Sequence, residues 1–195
     1  YGTETVPKVA KIIGPGSPWV GAAKRMVAHL IDTGTPAGPS ELIVFADETV
    51  DGRLAGLDLL IESEHGPDSS AFLVTWSRRV AEEARAAIPE FWKKMGAQRV
   101  LYSSTVLSGP IGGIVLARDE EDAIAFVNEY APEHLEVLSK EPFLYLGRLE
   151  HAGEILLGEH TPTTLGNFVI GPNHVLPTGG WARTASPVSV FDFMK

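Results

Sequence analysis

Glu41-Leu-Ile-Val-Phe-Ala46 is a short apolar run that reads as a buried β-strand, and the segments on either side repeat a strand-then-helix rhythm. A helix is expected from about Gly52 to His65. Gly66-Pro67 stops it, because glycine at the C′ position with proline beyond it is a common helix end. Ala71 to Trp76 is the next strand and Ser77 to about Lys94 the next helix, with Pro89 a break inside it. Arg99 to Tyr102 and Gly113 to Ala117 read as further strands. Glu120 to Tyr130 is a helix ended by Pro132, and His134 to Leu138, Phe143 to Leu146 and Glu154 to Leu157 are three more β candidates. Toward the start, Lys11 to Ile13 ends a strand, Gly14-Pro15-Gly16 is a turn, and Pro18 opens a helix through about Leu30, since proline suits a first turn. Alternating β-rich and amphipathic runs are the pattern of βαβ units. The expected fold is α/β: an open, doubly wound parallel sheet flanked by helices, Rossmann-like and incomplete.

Composition narrows the function. The 195 residues are 44% hydrophobic and 21% charged, enough apolar material for a real core. Lys and Arg number 16 against 25 Asp and Glu, for a formal charge of -9, which argues against a phosphate-backbone partner and so against nucleic acid. No apolar run approaches the ~20 residues of a membrane span, and no signal-peptide pattern opens the chain. No membrane partner is expected. With no cysteine there is no thiolate ligand or nucleophile, so any metal must sit on His, carboxylate or amide groups. The chain begins at Tyr1 and stops at Lys195 inside an apolar-rich stretch, and is expected to be an excerpt of something longer.

Three places can carry chemistry. Glu62 and His65, three apart at a helix end, project from one face beside the negative pole of the helix dipole, where a cation fits; the same pair also suits an ordinary helix terminus. Glu133 and His134 follow Pro132 at a helix-to-strand junction. Neighbours in an extended segment point to opposite sides, leaving one buried and one solvated; alternatively the carboxylate and imidazole flank one pocket and divide two proton transfers. The pair precedes a strand, whereas open α/β sheets usually place sites beyond strand carboxyl ends. Asn167 and His174 lie in the Gly-, Thr- and Pro-rich run from Gly158 to Gly180, a length that points to an ordered functional loop. Gly14 and Gly16 do not make a dinucleotide fingerprint, although they leave helix N–H groups open to an anion.

Several blocks, taken in order, resemble the histidinol dehydrogenase family: Gly2-Thr-Glu-Thr-Val-Pro-Lys-Val9, Gly14-Pro-Gly16, Ala37-Gly-Pro-Ser-Glu41, Glu64-His-Gly-Pro-Asp-Ser69, Pro132-Glu-His-Leu135 and Asn173-His-Val-Leu-Pro-Thr178. The chain is similar to the middle of that family's chain, somewhat under half of it. Residues 1–39 would end one Rossmann-like domain, and 40–195 would be the second half of the other, carrying most catalytic residues. The resemblance implies a cytoplasmic, homodimeric, zinc-dependent and NAD-linked dehydrogenase, which oxidises a small primary alcohol through an aldehyde to an acid. Glu133 would activate the attacking water, and His134 would take the alcohol proton. His65 would ligate zinc together with the residues at positions 62 and 167. Ser40 and His174 would contact substrate, and Ser17 would lie near the cofactor. The family's remaining metal ligand, a His, comes from a C-terminal part reaching across a dimer.

The chain departs from the family pattern at Glu62, where the family has Gln, at Asn167, where it has Asp, and at Ser17, where it usually has Asn. The first two changes are reciprocal, leave the pair's formal charge unchanged, and predict a surviving metal site of altered geometry. Together the three suggest a paralogue with a changed alcohol, such as a sulfonated propanediol. A metal-independent dehydrogenase and a non-catalytic metabolite-binding module are the alternatives; retention of both Glu133 and His134 speaks against the module.

Overall fold

The computed structural model describes residues 2–168 and 170–194. Helix α1 (Pro18–Val27) precedes strand β1 (Glu41–Ala46). There follow α2 (Gly52–Ser63), β2 (Ser70–Thr75), α3 (Arg78–Trp92), α4 (Ala97–Ser108), β3 (Gly112–Leu116), α5 (Glu120–Tyr130), β4 (His134–Leu138), β5 (Glu154–Leu157) and the one-turn helix α6 (Thr163–Gly166). The five strands form one sheet in the order β3-β2-β1-β4-β5. Every pairing is parallel, so the chain winds outward from β1 in one direction and then from β4 in the other, as expected.

Alternation along the strands builds two cores. Leu42, Val44 and Ala46 of β1 face α2, α3 and α4 through Leu59, Ala84 and Val106. Ile43 and Phe45 face α5 through Ala123, Ile124 and Val127, with Tyr145 and Leu149 closing that side. A strand buried on both faces must be apolar throughout, which is why ELIVFA shows no polar alternation. No helix among the described residues is long and apolar enough to cross a membrane.

Several elements differ from expectation. Arg99 to Tyr102 is helical, inside α4: Ser103 and Val106 bury at helical spacing, and a four-residue apolar run carries too little period to tell helix from strand. Pro89 does not break α3, whose buried face continues through Ala87 and Ile88. Pro89 and Arg85, whose carbonyl goes without the usual bond, lie on the exposed side, where water replaces the partner. Phe143 to Leu146 is not a strand. Pro142–Leu144 forms a 3₁₀ turn, closed by the Tyr145 amide donating to the Pro142 carbonyl at 3.3 Å. Helix α2 ends at Ser63 with Glu64 right-handed at its C-cap, so Gly66 is not a left-handed cap. Helix α1 stops at Val27 rather than near Leu30. Lys11 pairs only in an isolated bridge to Asp32.

Candidate active site

The polar cluster lies at the amino ends of the strands. His134 and Glu154 are the first residues of β4 and β5 and stand opposite each other in the parallel register, so their side chains leave the sheet on the same side. His134 Nδ1 donates to Glu154 Oε1 at 2.5 Å. On its other nitrogen, His134 Nε2 lies 3.7 Å from Glu133 Oε2. That same Oε2 accepts from the amide of Glu41, the first residue of β1, at 3.1 Å. The expectation that one of Glu133 and His134 would be solvated fails, because both are buried. Glu133 precedes the strand proper, so strict alternation does not bind it, and its side chain turns toward the start of β1.

This environment shifts both groups. Burial pushes the Glu133 carboxyl up to about 8; His134 and the Glu41 amide offset part of the effect, and the Glu62 and Glu41 carboxylates add to it. His134 is also raised. Burial lowers it, but the hydrogen bond it donates to Glu154 and the negative charges of Glu133, Glu62 and Glu154 outweigh that cost. Glu62 therefore acts on both members of the pair, which brings the end of α2 to the same polar centre as the segment after Pro132.

Glu62 is buried and its Oε2 lies 3.3 Å from Nδ1 of the half-exposed His65. The His65 Nδ1–H donates to the Ile61 carbonyl at 2.9 Å, which leaves Nε2 as the nitrogen with a free lone pair. Asn167 follows α6, which packs on α2, and its Oδ1 is buried without a hydrogen-bond partner. Among the described residues, no three His, Cys, Asp or Glu side chains group as a metal site.

A cavity of about 450 Å³ opens between α1 and the loops around Gly38 and Gly179, lined by Ser17, Lys24, Gly38, Thr178, Gly179 and Trp181 among others. Ser17 caps the start of α1 by position without donating or accepting a capping bond. Ser40 immediately precedes β1, and its carbonyl accepts from the Ser70 amide at 2.9 Å. Glu41 links cavity and cluster: its Oε1 accepts from the Gly179 amide at 2.9 Å while its own amide holds Glu133. His174 is exposed in the loop between Asn173 and Val175, and no hydrogen bond ties it to the cluster among the described residues.

The sequence profile described as histidinol dehydrogenase matches residues 1–195. The chain belongs to the histidinol dehydrogenase family. It is 64% identical over its whole length to a histidinol dehydrogenase homolog 2 of Mesorhizobium japonicum, of which it covers 44%. It is 52% identical to a histidinol dehydrogenase of Synechocystis, covering all of this chain and 45% of that one. The chain thus spans under half the length of the curated relatives it matches. A crystal structure of histidinol dehydrogenase from Elizabethkingia anophelis superposes with a TM-score of 0.86 at 36% identity, covering 97% of this chain and 43% of that one. A propionaldehyde dehydrogenase from Clostridium phytofermentans, at 18% identity and a TM-score of 0.59, covering 96% of this chain and 55% of that one, shares the fold alone.

Two residues of this candidate site escape a reading of the sequence. Glu154 appears there only as the start of a strand, and Glu41 as a strand start and the end of one family-like block, with no role. A carboxylate opening an otherwise apolar strand is the one local signal either gives; the partners come from register.

Proposed function

We propose that the full-length protein is an NAD-dependent dehydrogenase that oxidises a small polar primary alcohol, histidinol or a related alcohol, through an aldehyde to a carboxylic acid by two hydride transfers. The observation that carries this reading is the buried carboxyl–imidazole pair, Glu133 and His134, meeting at 3.7 Å and linked through Glu41 to the Gly179 rim of the 450 Å³ cavity. Such a volume lies within the range of small-molecule sites.

The first oxidation requires the hydroxyl proton to leave as hydride departs, and His134 takes it on Nε2, the nitrogen not held by Glu154. The second requires the aldehyde to be hydrated first. Glu133 draws the proton from the attacking water, and a carboxyl raised to about 8 holds such a proton far better than an ordinary carboxylate does. Ser40, next to β1, and His174, in the loop, are assigned to substrate.

NAD fits the cavity rim at Ser17, whose hydroxyl makes no capping bond and is open to a ligand, and when bound it accepts the hydride. Zinc fits Glu62, His65 and Asn167: a buried carboxylate, a free imidazole Nε2 and an orphaned buried amide oxygen are three donors, and the fourth lies outside these residues. When bound, it supplies a positive charge that polarises the substrate oxygen.

A division at residues 39 and 40 into two Rossmann-like parts accords with all five strands following residue 40. Homodimerisation and a cytoplasmic location belong to the same proposal. A second reading, a metal-independent paralogue acting on a sulfonated diol, draws on Glu62 and Asn167 standing where the family has Gln and Asp. The test is a screen of the full-length protein for NADH formation with histidinol, sulfonated diols and other short alcohols. Turnover of one or more supports the proposal; turnover of none supports a metabolite-binding module.

A further inference from the structure

Glu154 is buried as completely as the apolar core, its side chain 1% exposed. Burying a carboxylate is costly unless it is well paired, yet among the described residues the Glu154 carboxylate has one hydrogen-bonded partner, His134, and its Oε2 has none. The surroundings are shaped around it. A Cβ on Gly166 would stand 2.5 and 2.6 Å from the two Glu154 oxygens, so α6 approaches the carboxylate as closely as only glycine permits.

We infer that Glu154 is a positioning residue, holding His134 with its proton on Nδ1 and its Nε2 lone pair turned toward Glu133. A neutral imidazole has two tautomers, and only the one protonated on Nδ1 offers Nε2 as a base. The carboxylate can only accept at Nδ1, so it selects that tautomer and fixes the ring plane. The register makes this arrangement rigid, since both residues open adjacent parallel strands whose backbones are bonded directly below them. The further effect is electrostatic: as His134 gains a proton during turnover, the fixed negative charge 2.5 Å away stabilises the imidazolium. This rests on the reading of His134 as the base.

The test uses the full-length protein. With 15N-labelled histidine, and His134 assigned by its loss in His134→Asn, the wild-type ring on the alkaline side of its titration should show a pyrrole-type Nδ1 and a pyridine-type Nε2. Glu154→Gln should reverse or average the two. With histidinol as substrate, Glu154→Gln should lower kcat about 10²- to 10⁴-fold, as loss of an orienting carboxylate does in hydrolytic triads, with KM changed less than about threefold. Thermal melting reports folding. A wild-type ring protonated on Nε2, or unchanged tautomer signals and kcat in a folded Glu154→Gln, overturns the inference. Loss of activity in His134→Asn alongside an unaffected Glu154→Gln rejects only the positioning role, whereas full activity in His134→Asn rejects the base reading itself.

Discussion

The amide of Glu41 donates to Glu133 Oε2 across 3.1 Å, tying the first residue of β1 to the carboxylate that precedes β4. The same Glu41 holds the Gly179 amide through its side chain, so one residue spans from the cavity loop to the proton-handling pair. Burial raises the Glu41 carboxyl above its usual range, and its second oxygen has no partner.

Glu41→Ala should release the Thr178–Gly179 loop while leaving the backbone bond to Glu133. A hydrogen bond to a charged group contributes about 1.5–3 kcal/mol, so KM for the alcohol should rise about tenfold with kcat changed less than threefold. Steady-state kinetics of the full-length protein check this, and an unchanged KM would exclude the loop as part of the binding site.

Stability should fall as pH rises. Glu133 is raised from 4.5 to about 8, so its contribution is fully present below pH 4.5 and is lost as pH climbs through 8. Glu136, fully buried in β4, is raised by burial and by the neighbouring Asp58 of α2, and acts with the same sign. Thermal midpoints between pH 5 and 9 should decline for the wild type and decline less for Glu136→Gln, by several degrees at pH 9. A tenfold difference in proton affinity between the folded and unfolded chain is worth about 1.4 kcal/mol. Parallel curves for the two proteins would refute this account of Glu136.

Most of the frame was legible from local patterns. The bounds of β1, α5, β4 and β5 agree with the sequence reading to the residue, because each is an apolar or amphipathic block bounded by polar residues, glycine or proline. Arg99 to Tyr102 was not legible: its helix is decided by where Ser103 and Val106 bury, a tertiary outcome. The site was half legible. Glu133, His134, Glu62 and His65 stand out as paired ionisable groups, whereas Glu154 acquires its partner only through the β4–β5 register, across 20 residues of chain. The placement at amino ends of strands runs against the usual rule for open sheets and follows from Glu41, His134 and Glu154 each opening its strand.

Zinc removal distinguishes the two dehydrogenase readings. Full-length protein should carry stoichiometric zinc, lose activity on chelation, and lose at least tenfold in zinc affinity on His65→Ala. Substoichiometric metal with activity that survives chelation would assign the protein to the metal-independent reading.

Pro89→Ala should stabilise α3. It restores an amide donor toward the Arg85 carbonyl on an exposed face without touching the buried face. A gain of about 1–3 kcal/mol in denaturant unfolding is expected from the cost of proline in a helix interior, and a loss would show that the proline packs against something essential.

The most direct test of the central claim, that Glu133 and His134 divide two proton transfers, is to measure NADH formation separately from an alcohol and from its aldehyde in wild-type and Glu133→Gln full-length protein. The aldehyde step should fall about 10²- to 10⁴-fold, the usual worth of a general base, and the alcohol step by much less. An equal fall in both steps would contradict the division of labour.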